Sequence, residues 1–233
     1  MISPASGEEP QCIPVSMIVR SSACPLRVYL ERNEPIEEPY AYTIAKQVGY
    51  HLGSERDADM IWDEIRVVRP EIPDTMRSYL NDCITAWDGV SWEIPRATDI
   101  SIKNVKYAIT GRIDWLFDTE PEIGILRATR APTYGVWRQD RIRAAAYLLA
   151  SEGINAELFN SARIVYLPSG IVRPVVPGIS DRRSLFSSLR QVEAIYRGEM
   201  PKAPPNAPCD RCPKKEVCRR EPATLFDRFF RRS

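Results

Sequence analysis

The sequence predicts an α/β protein with a mixed central sheet, an N-terminal helical region and a cysteine-rich C-terminal segment. Three observations predict this fold class. About the first 90 residues place apolar side chains at helical spacing, the middle of the chain alternates as strands do, and the predicted elements there follow the order β-β-β-α-β-β-α. A chain in which strands and helices are mixed in this way typically builds an α/β domain.

Composition limits the classes of protein to be considered. The 233 residues correspond to one large domain, or to one domain with a small addition. With 32 Lys+Arg against 31 Asp+Glu the formal net charge is +1, which excludes a uniformly basic nucleic-acid coat but allows local basic patches. Because His51 is the single histidine, metal sites that need two histidines are excluded.

The first residues, MISPASGEEPQC, lack the basic and apolar regions of a secretory signal peptide. The sequence also has no run of apolar residues long enough to span a bilayer. We therefore expect a cytoplasmic protein with no membrane partner. In that compartment disulfides are rare, and clustered cysteines more often bind a metal.

The N-terminal part is predicted to be flexible over residues 1–15, which contain three prolines and an acidic pair. Residues 16–95 form the predicted helical region, and Ser16 is a suitable N-cap for its first helix. Prolines at positions 35 and 39 separate the first helix from the next. The predicted helices cover residues 16–32, 41–52, 57–68 and 74–86.

Residues 96–198 form the predicted α/β core. Two strands lie within residues 100–118 as a hairpin or meander, and a third covers 122–130. An amphipathic helix over 138–151 follows, then two strands within 161–177 around a turn at 168–170, and a last helix over 184–197.

The C-terminal part consists of a cluster-binding segment, residues 199–220, and a basic, aromatic tail, residues 221–233. Five of the 20 prolines lie within 201–213. Phe226, Phe229 and Phe230 fall on one helical face of the tail, which favours either packing onto the domain or docking to a protein partner.

Three of the six cysteines have C-x2-C-x5-C spacing. The short first interval allows the sulfurs of Cys209 and Cys212 to converge, together with Cys218, on one ion or cluster. A complete site needs a fourth ligand, and spacing alone leaves zinc and an iron–sulfur cluster both open. The candidates for the fourth ligand are Cys24, Cys12 and His51.

The order of several motifs carries a resemblance. SMIVRSSACPLRVYL, then GRIDWLF, a strand, a helix ending AAAYLLA and the terminal C-x2-C-x5-C resemble the CRISPR-associated iron–sulfur exonucleases of the RecB-like, PD-(D/E)XK superfamily, over about residues 14–220. The resemblance implies a nuclease-like core and a C-terminal iron–sulfur subdomain. It implies a [4Fe–4S] cluster, with zinc as the alternative, held by Cys24, Cys209, Cys212 and Cys218.

The resemblance also implies a divalent-metal site built from acidic side chains and a lysine on adjacent strands. Asp114 of GRID matches the family's aspartate. On the next strand the family carries a Glu-x-Lys motif, and the matching stretch of this chain is LRATRAP. Leu126 stands at the position of the glutamate and Ala128 at that of the lysine. Leucine cannot bind Mg²⁺ and alanine cannot transfer a proton, so we predict that the catalytic site is degenerate.

Two further positions of the family pattern are altered. Tyr147 of the family's Q-x-x-x-Y helix motif is present, but Arg143 replaces the glutamine. His51 lies in the region of the family's metal-binding histidine without the surrounding motif. Asp114, His51 and Tyr147 are therefore interpreted as remnants of a catalytic site.

Several arginines fall in the predicted strands and helix that border this degenerate site. They favour phosphate binding, because a guanidinium can bind phosphate through two hydrogen bonds. The alternative is that they are solvated or paired with acids such as Asp140. The predicted nucleic-acid-binding residues are Arg112, Arg127, Arg130, Arg138, Arg141 and Arg143.

We therefore predict a catalytically inactive, nuclease-like iron–sulfur protein. It would act as a DNA-binding or scaffold subunit of a DNA repair, replication or CRISPR-adaptation complex, with single-stranded or end-bearing DNA and another protein as partners. The alternative is an active single-stranded DNA exonuclease with rearranged ligands, and Mg²⁺ or Mn²⁺ would be a cofactor in that case alone.

Overall fold

A computed structural model describes residues 11–35, 37–152 and 159–220 of the chain. Six strands and eight α-helices lie within these ranges. The strands are β1 (Ile13–Pro14), β2 (Ala97–Asn104), β3 (Ile109–Leu116), β4 (Ile123–Arg127), β5 (Ala162–Tyr166) and β6 (Ile171–Val175). The helices are α1 (Val15–Ala23), α2 (Pro25–Leu30), α3 (Tyr40–Tyr50), α4 (Ala58–Val68), α5 (Arg77–Thr85), α6 (Arg138–Ser151), α7 (Ile179–Tyr196) and α8 (Lys215–Arg220).

The strands form one mixed sheet in the order β1-β3-β4-β5-β6, and β2 pairs with β3 outside this path. The pairs β2–β3, β3–β4 and β5–β6 are antiparallel, whereas β1–β3 and β4–β5 are parallel. Because a parallel pair needs a crossover, the chain between β4 and β5 includes α6. The predicted mixed sheet is thereby confirmed.

Two apolar clusters lie on opposite faces of this sheet. Ile123 and Ile125 of β4 pack in the cluster that includes residues of α1, α6 and α7. Leu126 of the same strand packs in the other cluster, with residues of α3, α4 and α5. This alternation along β4 follows from the two-residue repeat of a strand, and it means that both faces of the sheet are covered by helices.

Most predicted elements are present, with differences that have local causes. The single helix expected over residues 16–32 is divided at Cys24, whose extended backbone (φ −160°, ψ 106°) is the conformation that a following proline favours. Helix α7 begins five residues before the predicted start, because the Asp181 carboxylate accepts the Gly178 N–H at 2.8 Å and caps its first turn. Strand β1 was not predicted.

The turn between β5 and β6 lies where the sequence placed it. Gly170 adopts a left-handed conformation (φ +59°), and a Cβ there would lie 1.8 Å from the Ala86 carbonyl oxygen.

No helix in the described ranges is both long and apolar enough to cross a membrane. Residues 1–15 were predicted to be flexible, but Ile13 lies in β1 and Val15 in α1, and both side chains are buried. Residues 1–10 and the aromatic tail 221–233 lie outside the described residues.

Candidate functional site

A cleft of about 1080 Å³ lies between the end of β4, helix α6 and the chain that joins α2 to α3. Asp114 of β3 and Tyr147 of α6 line this cleft, as do Leu126 and Ala128. The structure thus brings together the positions that the resemblance assigned to a nuclease site.

Asp114 is held by internal partners on both of its carboxylate oxygens. Oδ2 accepts the Leu126 N–H at 2.8 Å, while Oδ1 lies 3.3 Å from the Tyr42 hydroxyl and 3.4 Å from the Lys46 ammonium. The side chain is deeply buried, at 7% exposure. Burial raises the pKa of Asp114, and the nearby Lys46 opposes that effect.

The strand pairing explains why this aspartate reaches the neighbouring backbone. The ladder between β3 and β4 pairs Trp115 with Gly124 and Leu116 with Ile123, and it continues no further toward Asp114. The Asp114 carboxylate therefore satisfies a backbone N–H that has no ladder partner.

The glycine of the GRID motif has a packing role. A Cβ on Gly111 would lie 2.8 Å from Cε1 of the Tyr147 ring, which is too close for a carbon–carbon contact. The tyrosine hydroxyl makes no hydrogen bond within the described chain, and burial raises the pKa of Tyr147 to about 12. Gly111 and Tyr147, which the sequence suggested separately, are therefore in direct contact.

Leu126 and Ala128 have apolar surroundings. The Leu126 side chain is 2% exposed, and its Cδ1 would lie 3.2 Å from a Cβ on Gly49 of α3. Ala128 packs against the same cluster, and its carbonyl oxygen accepts the Tyr79 hydroxyl at 2.7 Å. Neither position presents an oxygen or nitrogen side-chain atom to a cation.

Helix α3 contributes groups that the sequence interpretation missed. Lys46 forms ion pairs with Asp99 of β2 and with Asp114. The hydroxyl of Tyr42 reaches Asp114 and that of Tyr50 reaches Asp99. Tyr42, Lys46 and Tyr50 are spaced four residues apart, so this helical repeat was the signal that could have identified them.

His51 occupies a different position from these residues. It follows the last turn of α3, and its Nε2 lies 2.8 Å from Oε2 of Glu64 on α4. The hydrogen bond from His51 lowers the pKa of Glu64. The part of α3 that approaches Asp114 carries Tyr42 and Lys46 instead.

Two of the predicted arginines share one buried carboxylate. Arg127 Nε lies 2.6 Å and Arg143 Nη1 2.5 Å from Oδ1 of Asp140, whose side chain is 1% exposed. Tyr166 donates its hydroxyl to the other oxygen at 3.0 Å. Burial, and then the charge of Arg127, lower the pKa of Arg143, but a guanidinium remains charged at neutral pH. Both arginines line the cleft, and with Asp140 they form a cluster of net charge +1. The acids that line the same cleft are Glu31, Glu34, Glu37, Glu38 and Asp114.

The remaining predicted arginines lie nearer the surface. Arg130 is 3.6 Å from Asp82, and Arg141 is 2.8 Å from Asp181. Pairing with acids, the alternative weighed for these side chains, thus accounts for four of the six. The other two, Arg112 and Arg138, are exposed.

A basic stripe on α7 was also missed. Arg182, Arg183 and Arg190 are exposed on one face of this helix, and with Ile179 and Phe186 they line a depression of about 380 Å³. None of the three arginines pairs with an acidic side chain among the described residues. Their positions repeat at helical spacing, which was visible in the sequence.

The four cysteines singled out by the resemblance line one cavity of about 370 Å³. Cys24 lies between α1 and α2, Cys209 and Cys212 flank a short 3-10 helix, and Cys218 is in α8. Lys214 pairs with Glu34, which ties the cysteine segment to the N-terminal region. Three arginines that border this cavity also line the cleft: Arg20, Arg27 and Arg143.

The other two cysteines are outside this cavity's lining. Cys83 is buried in the apolar cluster of α3–α5, and burial raises the pKa of its thiol to about 12. Cys12 immediately precedes β1. Across the described ranges, no three Cys, His, Asp or Glu side chains converge closely enough to hold a single metal ion.

Comparison with solved structures gives matches that cover most of the chain. No protein-family model matches the chain. A crystal structure from Eubacterium rectale, described as a "Putative exonuclease", matches with a TM-score of 0.57 and 13% sequence identity over 95% of this chain and 94% of that chain. The structure of SSO0001 matches with a TM-score of 0.41 and 16% identity over 91% and 88% of the two chains, and no conclusion rests on it.

One curated relative also matches. An uncharacterized protein of Archaeoglobus fulgidus is 25% identical over 132 residues, which are 56% of this chain and 59% of that protein. The present chain therefore matches less than two thirds of that relative. The chain has a nuclease-like fold, and the low identities show the fold alone.

Proposed function

We propose that this protein is a catalytically inactive, nuclease-like iron–sulfur protein that binds DNA as a subunit of a larger complex. The observation that carries the proposal is the apolar packing of Leu126 and Ala128 beside an Asp114 whose carboxylate is fully engaged. The complex would serve DNA repair, replication or CRISPR adaptation, as the resemblance to CRISPR-associated exonucleases suggests.

The state of Asp114 argues against metal-dependent hydrolysis. A divalent cation needs several oxygen ligands, and the protein's carboxylates normally supply more than one of them. Asp114 already accepts the Leu126 N–H and lies within hydrogen-bond reach of Tyr42 and Lys46. With leucine and alanine at the next two family positions, the acid and the lysine with which the family activates water are replaced there. The other acids of the cleft, Glu31, Glu34, Glu37 and Glu38, come from the chain around α2 and α3 and not from the strand after Asp114.

Binding without cleavage fits the distribution of positive charge. The cluster of Arg127, Arg143 and Asp140 carries one net positive charge of its own, in a cleft that is also lined by acidic side chains. The basic stripe on α7, Arg182, Arg183 and Arg190, adds three exposed guanidinium groups without acidic partners among the described residues. Such groups bind the phosphate backbone and make affinity depend on salt.

The resemblance assigns the cysteine cavity to an iron–sulfur cluster, and zinc is the alternative. Both need four ligands, and four cysteines line this cavity. A cavity of about 370 Å³ lined by four cysteines leaves room for a multinuclear cluster. Cys24, Cys209, Cys212 and Cys218 would hold it. The cluster would link the N-terminal helices to the C-terminal segment.

The direct test uses anaerobically purified protein and labelled single-stranded and duplex DNA, with Mg²⁺, Mn²⁺ or EDTA. We expect no cleavage under any condition, and binding that weakens steeply as salt rises. Asp114→Ala is the matched control, and it should change neither result. Cleavage that requires metal and disappears in Asp114→Ala would instead establish the alternative, an active exonuclease with rearranged ligands.

A further inference from the structure

Lys46 lies where two carboxylates of adjacent strands face each other. Strands β2 and β3 pair Thr98 with Trp115 and Ile100 with Ile113. Asp99 and Asp114 lie between these two pairs and are not themselves paired in the ladder, and both carboxylates reach Lys46. Asp99 adopts a left-handed backbone (φ +57°), which is uncommon for any residue other than glycine. This local departure from regular strand geometry accompanies the contact between its carboxylate and Lys46.

The ammonium group of Lys46 is enclosed by polar and aromatic groups. Its side chain is 17% exposed and forms ion pairs with Asp99 and with Asp114. The ring centroids of Tyr42 and Tyr50 each lie 6.0 Å from Nζ, at the outer limit for a cation–π contact. The hydroxyls of the same tyrosines bond to Asp114 and Asp99 respectively. The site is therefore built for one cation, and an amino group of the chain supplies it.

We propose that Lys46 is a built-in cation that takes the place of a divalent metal between Asp99 and Asp114, and so keeps metal out of the nuclease-like cleft. The inference rests on the proposed function, because it explains how the fold is maintained without metal at its remnant acidic site. One ammonium neutralises only one of the two carboxylates that it contacts, Asp99 and Asp114. If Lys46 were removed, the two carboxylates would repel each other. A cation from solution would then occupy the space.

The test compares wild-type protein with Lys46→Ala in thermal unfolding, in EDTA and in Mn²⁺, and follows bound Mn²⁺ by electron paramagnetic resonance. We expect the wild-type Tm to be the same in both buffers. Lys46→Ala should have a lower Tm in EDTA and recover at least half of the loss in Mn²⁺, with immobilised Mn²⁺ in its spectrum. Adding Asp99→Asn to Lys46→Ala should abolish the recovery. The matched control is Lys106→Ala, which removes an exposed lysine and should behave as wild type.

Either of two results would overturn the inference. One is that Mn²⁺ leaves the Tm of Lys46→Ala unchanged. The other is that Mn²⁺ raises the Tm of the wild-type protein and that this rise disappears when Asp114 is replaced, which would show that metal binds there while Lys46 is present. If Lys46→Ala does not fold, Lys46→Met keeps the aliphatic stem while removing the charge, and the same comparison applies. DNA binding is measured separately on the wild-type protein. Failure to bind DNA would refute the proposed function while the metal response of the Lys46 variants still decided the inference.

Discussion

Replacing Asp140 by asparagine should weaken the fold and strengthen DNA binding together. The Asp140 side chain is 1% exposed and faces both Arg127, at 2.6 Å, and Arg143, at 2.5 Å. Asparagine has nearly the same shape, and its carbonyl oxygen can still accept the Tyr166 hydroxyl, which lies 3.0 Å from the carboxylate. Its amide NH2 then faces the two guanidinium groups, which are also donors, so the substitution removes both the negative charge and the acceptor that the arginines share.

The magnitude follows from the burial of these groups. Breaking a buried ion pair by removing one partner costs about 3–5 kcal/mol, because the remaining charge is left unpaired. Since the asparagine keeps one hydrogen bond, we expect a loss of about 3 kcal/mol, which corresponds to roughly 6–12 °C in Tm for a domain of this size. Thermal unfolding measures it. Asp82→Asn is the matched control, because the exposed pair of Asp82 with Arg130 at 3.6 Å should contribute less than about 1 kcal/mol.

The binding half of the prediction uses the same variant. Without the Asp140 carboxylate, the charge of the buried cluster rises from +1 to +2 beside the cleft that Arg127 and Arg143 line. Affinity for single-stranded DNA should rise, and its dependence on salt should become steeper. A Tm equal to that of wild type would refute the reasoning about the buried cluster. Unchanged affinity in a destabilised variant would show that DNA does not contact this cleft.

Three further outcomes are expected. Cys24→Ser should lose bound iron and lower the Tm, because it removes a cluster ligand that joins the two ends of the chain, and full iron retention would point to another fourth ligand. Gly111→Ala should cost about 1–3 kcal/mol in denaturant unfolding, since the added Cβ meets the Tyr147 ring at 2.8 Å, and an unchanged midpoint would contradict that contact. Burial raises the pKa of Asp181, but hydrogen bonds from Arg141 and from the Gly178 N–H outweigh burial, so the pKa is lowered. The ionised Asp181 carboxylate therefore stabilises the fold above the pKa of the unfolded chain. This stabilisation is lost as pH falls through the lower pKa of the folded state. Asp181→Asn should be about 1–2 kcal/mol less stable at pH 7, and the difference from wild type should shrink in Tm scans taken toward pH 3.

Local patterns predicted much of the fold because they depend on short-range physics. Helix α6 spans the predicted residues 138–151, since its apolar positions repeat at helical spacing without an interrupting proline. The two-residue strand β1 was beyond such reasoning, because nothing in a dipeptide distinguishes a strand from a loop. The break at Cys24 was signalled by the following Pro25, but apolar periodicity on both sides favoured a continuous helix.

The candidate site was predictable only in part. Asp114 and Tyr147 were identified from motifs, and the structure brings both to one cleft. Lys46 and Asp99 were missed, because both precede Asp114 in the chain and neither belongs to a motif of the resemblance. The lysine comes from a helix far earlier in the chain, and the second acid comes from the strand before.

By itself the sequence determined which chemical groups are available: three cysteines at C-x2-C-x5-C spacing and a fourth in the N-terminal part, one aspartate in a GRID motif, and leucine and alanine where the resemblance expects an acid and a lysine. These are properties of residue type and spacing, which the chain carries before it folds. The tertiary structure alone decided which charges neutralise one another. Asp140 holds two arginines and Lys46 lies between two aspartates, because side chains distant in sequence share a buried volume in which every charge requires a partner.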